Sequence, residues 1–451
     1  MDPYGQIHRF LVGPAWDRYR GFSLRARERE VENHFRLPAA RRELRSWERV
    51  LALTRHALSR VPFFVDRAAG AGLDPEQIRT YEDFCRIPAL TKPDMREAGD
   101  RLLLPGLDKS DLVYGTTGGT TDSPIPLWYD KARRDIKAAE MNFYRRWWGW
   151  RPWDRTLFLW GAAMDFPKGG TLSARARARL LNRRRFLYAN KLNPQVLDAY
   201  IAVINQFKPR IIQVYSNPGR ILAGHILATG ARMHRPHAVI ATAEPCPPAF
   251  REIMAKAFRC PVYTFYGARE SGYIAAECPE HRNLHVNTHS LFLEIVQNGR
   301  PIPPGRVGQV LLTDLFSFAM PFLRYRIGDM ASLSETPCPC GRPGPILNFM
   351  AGRETDVFKT PDGDLVPGVS FCERVVTECR GFAQMQFIQE KPDELLVKMV
   401  KGPDYTEEDM KKLDAALHYY FAGKLTIVKQ FVSDIPPEPS GKVRFCISKT
   451  E

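Results

Sequence analysis

A carboxylate, a lysine and a run of hydroxyls are the residues of this chain whose types and spacing fit catalysis. Glu270 ends the stretch Pro261–Glu270, PVYTFYGARE, after an apolar and aromatic run (Val262, Tyr263, Phe265, Tyr266) that reads as a buried strand broken by Gly267. A carboxylate at the end of a buried strand costs free energy unless a cation or hydrogen-bond donors meet it. Alone, the stretch also reads as a strand-to-helix turn with Glu270 near a helix start. Thr116, Thr117, Gly118, Gly119, Thr120 and Thr121 lie between two apolar runs. Glycines there let backbone amides approach a phosphate, and the hydroxyls add donors. The pattern is not GxxxxGK[ST], which excludes a Walker-type loop and leaves a Gly/Thr hairpin as the alternative. Lys442, on a Ser-Gly turn, reads by itself as an exposed turn lysine.

A second group has the spacing of metal ligands. Cys278 is followed by His281 and His285, and later by Cys338-Pro-Cys340-Gly341. Two thiols at CPC spacing with a Cys/His group upstream complete one tetrahedral zinc site across a β-rich insert around 278–345. The alternative is free cysteines packing as small apolar residues. Turn-forming Pro and Gly around the CPC favour zinc, in a structural role.

The elements that must position these groups follow from the rest of the chain. At 451 residues, two or three domains are expected. A 44% hydrophobic and 25% charged composition is that of a globular protein. Nine cysteines and a start without an apolar signal segment point to the cytoplasm, and no apolar run is long enough to span a membrane. The net charge of +15 is concentrated in the first third and in an arginine-rich stretch from Arg175 to Arg185, read as a solvated helix face. A basic surface suits anionic small molecules; neither nucleic acid nor membrane is expected as a partner. Residues 24–60 are helical in pattern, and Thr80 and Thr91 are helix starts. RTLFLWGAA (155–163), RIIQVYS (210–216), HAVIATAE (237–244) and PVYTFYG (261–267) then alternate with helix-length segments, predicting a mainly parallel sheet covered on both faces. Ligands sit at the carboxyl ends of such strands, where Ala243-Glu244-Pro245 and Tyr266–Glu270 fall. PDGD at 361–364 is a hairpin turn, and residues 405–424 form a helix within a small α+β domain.

Together these stretches resemble the adenylate-forming (ANL) superfamily, most closely its phenylacetate–CoA ligase-like, CapK-like branch, over most of the chain. TTGGTTDSP looks like the family's phosphate loop, ATAEP its adenine-contacting strand end and YGARE its Tyr-Gly-x-x-Glu motif. RYRIGD looks like its ribose-binding segment, GRETD its hinge and PSGKV its carboxy-terminal lysine loop. Asp122 departs from the family's second loop glycine, and Thr355 from its usual Asp or Lys after GRE. The resemblance implies a large α/β adenylation domain over 1–355, with parallel sheet flanked by helices, and a small mobile α+β lid over 356–451. It implies attack of a carboxylate on ATP to give an acyl-AMP, then transfer to CoA or, alternatively, to an amine. Lys442 and Glu270 are then catalytic, Glu270 holding Mg²⁺. The Thr116–Thr121 loop binds phosphates, Ala243, Glu244 and Pro245 the adenine, and Asp329 the ribose. Tyr266, Gly267, Ala268, Arg269 and Arg353 complete the ATP site. Trp160, Gly161, Tyr215 and Ala241 form the pocket for an aryl or apolar acid. Zinc-bearing relatives favour Cys278, His285, Cys338 and Cys340 as ligands, with His281 in reserve. The protein is expected to act as a monomer or homodimer.

Overall fold

The computed structural model describes the chain except for residues 1–2, 20, 22, 118–123, 153, 162–182, 190–191, 281–282, 354–356, 363–364, 369–370, 372–373, 376–377, 437–443 and 450–451. Helices open the chain, among them Leu24–Arg36, Ala39–Arg60 and Pro62–Gly70. Thr80 and Thr91 each start a short helix with a reciprocal capping box, to Asp83 and Asp94. Such a cap satisfies two otherwise orphaned backbone donors and contributes about 1 kcal/mol.

A hairpin of β1 (Val113–Thr116) and β2 (Pro126–Tyr129) follows. The chain then runs through β3 (Thr156–Trp160), β4 (Arg184–Tyr188), β5 (Ile211–Tyr215), β6 (Ala238–Thr242), β7 (Val262–Ala268) and β8 (Gly272–Glu277). It continues through β9 (Leu284–Val286), β10 (Leu291–Gln297), β11 (Arg300–Pro301), β12 (Gly308–Asp314), β13 (Tyr325–Leu333) and β14 (Ile346–Arg353). Strands β3 to β14 make one twelve-stranded sheet in the order β11-β10-β12-β13-β14-β9-β8-β7-β6-β5-β3-β4.

That sheet changes character at β7, which pairs parallel to β6 and antiparallel to β8. From β4 to β7 it is parallel, and every residue of β5 and β6 is buried, as expected for strands covered on both faces. Helices Pro194–Phe207, Ser216–Thr229 and Pro248–Phe258 cover one face, around Leu157, Val214 and Val239, and helix Lys131–Trp147 with Trp148 after it covers the other, around Tyr144, Ile211 and Ile240. From β7 to β11 the sheet is antiparallel. Parallel pairing thus governs five of the twelve strands rather than most of them. Residues 278–345 continue this sheet through β9 to β13 and do not form a separate β-rich body. The arginine-rich stretch also ends differently from its reading as a helix face, because Arg184–Tyr188 is the edge strand β4. Charged side chains on an edge strand discourage pairing with other chains.

Beyond 356 lie the hairpin β15 (Val357–Lys359) and β16 (Leu365–Pro367), joined through PDGD, of which Gly363 and Asp364 lie outside the described residues, and a four-stranded sheet. Its order is β19 (Thr426–Phe431), β18 (Glu394–Lys401), β17 (Phe382–Lys391) and β20 (Cys446–Ser448). Helix Glu407–Phe421, capped by Thr406 and Asp409, packs on it, and Phe358, Phe371, Phe387 and Phe421 fill a core of their own. Among the described residues, no helix is long and apolar enough to cross a membrane.

Candidate active site

The parallel half has its topological switch between β3 and β5. From β3 the chain goes outward to β4 and then returns to the other side of β3 to lay down β5. Crevices at such points, beyond the carboxyl ends of the strands, are where open α/β sheets bind ligands. Trp160 ends β3 and Tyr215 ends β5, with ring centroids 4.6 Å apart in an edge-on contact. Gly161 is buried beside them and Ala241 lies fully buried on β6. The four predicted acyl-pocket residues therefore stand at the carboxyl ends of three neighbouring strands.

The next strand end holds the predicted adenine segment. Ala243 leaves β6 with φ +69°, a left-handed conformation that turns the chain back over the strand end. Glu244 is fixed there from two sides. Its carboxylate accepts from the Asn217 backbone N–H at 2.9 Å, and its carbonyl accepts from the Ser216 hydroxyl at 3.1 Å.

Glu270 sits in the turn between β7 and β8, 7% exposed. The structure thus replaces a strand-to-helix turn with a β-turn between antiparallel strands. Gly267 lies inside β7 rather than ending it, at a register shift, and a Cβ there would come within 2.8 Å of the Gly272 carbonyl oxygen. Only glycine lets the two backbones approach so closely.

One helix holds this turn. Arg133, Lys137 and Glu140 recur at i, i+4 and i+7 of helix Lys131–Trp147 and so lie along one face. Lys137 Nζ donates to the carbonyls of Arg269 and Glu270 at 3.0 and 2.8 Å, and Arg133 Nη2 to that of Ser271 at 2.7 Å. Three successive turn carbonyls are thereby capped by two cations. Arg133 is itself buried and paired with Asp314 at 2.8 Å and Glu140 at 3.4 Å, as a buried charge must be. Burial first, and Arg133 second, pull the Lys137 ammonium down to about 7. Its Nζ also lies 4.3 Å from the centre of the Tyr129 ring. The base of the β1–β2 hairpin therefore touches the same lysine that grips the Glu270 turn.

Two tyrosines join this turn to β13. Tyr325 donates its hydroxyl to Glu270 Oε1 at 3.1 Å, and Tyr266 donates its own to Asp329 Oδ2 at 2.6 Å. In each segment a tyrosine precedes its carboxylate by four residues, so each strand supplies the donor for the other's acid. Strands β14, β9 and β8 separate β7 from β13 in the sheet, so the antiparallel half must curl to bring these groups together. Asp329 pairs with Arg353 across β13 and β14, which sets the backbone of Arg353 beside the predicted ribose carboxylate. Thr116 ends β1. Thr117 closes the hairpin, its N–H donating to the Ile125 carbonyl and its Oγ1 accepting from the Ile125 N–H, both at 3.0 Å. Gly118, Gly119, Thr120, Thr121, Asp122, His281, Thr355 and Lys442 lie outside the described residues.

The predicted cysteine and histidine group forms apart from these residues. Cys278, His285, Cys338 and Cys340 bring one ligand atom each to within 4.8 Å of one another. Cys278 and Cys338 sulfurs are 3.8 Å apart, and Cys340 Sγ lies 3.3 Å from His285 Nε2. His285 reaches the cluster from β9, where it pairs with Ile346 of β14. A Cys₃His set of this compactness has the donor chemistry of a structural zinc site.

Sequence reasoning missed Arg133, Lys137 and Asn217. Arg133 and Lys137 lie within a long amphipathic helix, and what distinguishes them is the turn they meet about 130 residues later.

Comparison with known proteins agrees with this architecture. The sequence profile of the CapK C-terminal domain matches residues 358–449. Protein CapK of Staphylococcus aureus is 24% identical over 372 residues, 82% of this chain and 81% of its own. The phenylacetate-coenzyme A ligase of Thermus thermophilus is 27% identical over 319 residues, 69% of this chain and 70% of its own. Among solved structures, a 2-hydroxyisobutyryl-CoA ligase in its postadenylation state superposes with a TM-score of 0.74 at 19% identity, covering 93% of this chain and 92% of that one. Over most of its length the chain is thus similar to phenylacetate–CoA ligase-like, CapK-like members of the AMP-forming ligases, and its residues 358–449 match the CapK C-terminal domain.

Proposed function

We propose that the protein activates an aryl or apolar carboxylic acid with ATP and passes the acyl group to the thiol of CoA. A carboxylate oxygen attacks the α-phosphorus, the bond to the β-phosphate oxygen breaks, and pyrophosphate leaves. The thiol then attacks the acyl carbon and AMP departs. One observation carries the reading: the crossed pairs Tyr266–Asp329 and Tyr325–Glu270, which hold two carboxylates together at the end of β7.

In this reading Asp329 accepts hydrogen bonds from the ribose, and Ala243, Glu244 and Pro245 border the adenine. Thr116 to Thr121 bind the β- and γ-phosphates, and Tyr266 to Arg269 with Arg353 line the nucleotide. The acid lies against Trp160, Gly161, Tyr215 and Ala241. Glu270, an oxygen donor held from both its backbone and its carboxylate, suits Mg²⁺, which is usually bound by one or two carboxylates plus substrate phosphates. When bound, that ion neutralises phosphate charge. Lys442 stabilises the charge that develops between the carboxylate and the α-phosphate. Cys278, His285, Cys338 and Cys340 hold a structural zinc. Residues 1–355 form the adenylating domain and 356–451 a lid, with the pivot at Gly352–Asp356.

Pyrophosphate exchange over a panel of aryl, fatty and amino acids tests the first step, and AMP release with CoA or with amines tests the second. Magnesium-dependent exchange with an aryl or apolar acid, followed by CoA-dependent AMP release, is expected. No exchange with any acid would overturn the reading, and AMP release with amines alone would replace CoA by an amine acceptor.

A further inference from the structure

The opposite edge of the same sheet carries a second feature. Where the parallel strands begin, a cavity of about 510 Å³ opens between the segments that enter β3, β4, β5 and β6. Arg151, Arg155, Arg183, Lys208, Arg210 and Arg235 line it against one carboxylate, Asp154, so six positive charges less one negative leave a formal excess of five. Asp154 is already engaged by Arg210 Nε at 3.1 Å. The groups assigned above to the reaction lie at the other ends of these strands. Like charges gathered in one concavity repel each other and focus a field that attracts an anion. His234 and His237 stand in the same wall, where burial foremost, with lesser contributions from nearby cations, pushes both imidazoles below their usual range.

The lip of the cavity is apolar. Gly5 and Gln6 line it, and the Arg183 guanidinium lies 5.3 Å from the centre of the Tyr4 ring, so the first helical segment borders the basic wall. That segment turns large apolar side chains to solvent. Ile7, at the end of helix Pro3–Ile7, and Phe10 and Leu11, in the π-helical turn His8–Val12 that follows, are 52%, 61% and 68% exposed. Exposed apolar residues in one contiguous group mark an interaction surface.

We propose that this face docks on an anionic phospholipid surface, with a headgroup phosphate in the cavity and Ile7, Phe10 and Leu11 in the acyl boundary. An apolar ridge beside clustered Lys and Arg is the chemistry of interfacial membrane binding. A second copy of the chain fits less well, because a two-fold contact through this ridge would bring two basic cavities together. A nucleic acid would match the charge and leave the ridge unused. The docking faces the membrane with the amino ends of the strands and leaves the carboxyl-end crevice open to substrate. It departs from the sequence-based expectation of no membrane partner.

Flotation with phosphatidylcholine vesicles, with and without phosphatidylglycerol, tests this on the full chain. Retention is expected only with the anionic lipid and should fall as salt rises. Arg151, Lys208 and Arg235 are exposed, so their change to Gln leaves the fold intact. Each charge removed should weaken binding roughly fivefold. Ile7→Ser, Phe10→Ser and Leu11→Ser combined should abolish retention, with an unchanged melting temperature. Excess soluble glycerol phosphate should not release the protein; release would assign the cavity to a free phosphate compound and overturn membrane docking. No retention of the unaltered protein, or retention indifferent to both sets of variants, would overturn it too. So would an apolar variant that turns a dimer into a monomer while vesicle binding persists.

Discussion

The Tyr266 hydroxyl donates to Asp329 Oδ2 at 2.6 Å, closing a span of 63 residues between two strands that are not neighbours in the sheet. That bond fixes the rotamer of the carboxylate proposed to receive the ribose, so affinity for nucleotide should depend on a hydroxyl one strand system away. A hydrogen bond to a charged group is worth about 1.5–3 kcal/mol. Tyr266→Phe should therefore raise KM for ATP roughly tenfold with a smaller change in kcat, in steady-state exchange kinetics. An unchanged KM would separate Asp329 from nucleotide binding.

Glu270→Gln keeps the size of the side chain and its ability to accept from Tyr325, and removes one negative charge. The Lys137 and Arg133 bonds go to backbone carbonyls and should hold the turn as before. The variant should melt near the parent temperature and lose magnesium-dependent exchange by two orders of magnitude or more. Near-parental exchange would reduce YGARE to a turn motif.

Cys338→Ser with Cys340→Ser should release one equivalent of zinc per chain and lower the melting temperature by several degrees, because ligand binding energy in a structural site is folding energy. Atomic spectroscopy on protein purified without chelator, before and after substitution, reads the metal directly. Absence of zinc in the unaltered protein would end the assignment.

Acid stability should report on His34. It is fully buried, its Nε2 lies 3.2 Å from the Thr288 hydroxyl, and burial holds its imidazole down at about 3. The unfolded chain takes up that proton near 6.5, so between these values the unfolded state binds more protons than the folded one. Stability is then full above pH 6.5 and falls as pH drops toward 3, by at most about 1.4 kcal/mol per pH unit. Melting temperatures of the parent should decline from pH 6.5 to 5, and those of His34→Gln should decline less. Equal slopes would assign the acid loss to other groups.

Much of the scaffold was legible because it is written in local patterns. Thr80 with Asp83 and Thr91 with Asp94 announce helix starts by chemistry within four residues. Apolar runs at Leu157, Ile211, Ala238 and Val262 mark buried parallel strands for the same reason. What local pattern does not carry is which groups meet across the sheet. Nothing near Lys137 points to the carbonyls of Arg269 and Glu270, and strand β4 hides within arginines that suit an exposed edge. The curl that carries β13 around to β7 is likewise a property of twelve strands together. The grouping of Cys278, His285, Cys338 and Cys340 was legible at long range because cysteine and histidine declare their chemistry by type.

The lysine loop and the proposed pivot make the last prediction. Lys442 falls in sequence between β19 and β20 and, in the proposed reading, serves the crevice when the small domain closes over the sheet. Thiol attack needs an open path to the same acyl carbon, which a closed lysine loop would obstruct. One way to satisfy both is to rotate the small domain between the two steps, with a few residues at the end of β14 absorbing the change. Lys442→Ala should then suppress acyl-AMP formation, read as pyrophosphate exchange, by two orders of magnitude or more. The same variant, given chemically prepared acyl-AMP and CoA, should form thioester at near the parental rate. Thr355→Pro should do the reverse, since a fixed φ at the pivot hinders rotation and slows transfer more than adenylation. Equal loss of both half-reactions in a folded Lys442→Ala protein would mean that one arrangement of the two domains serves both steps.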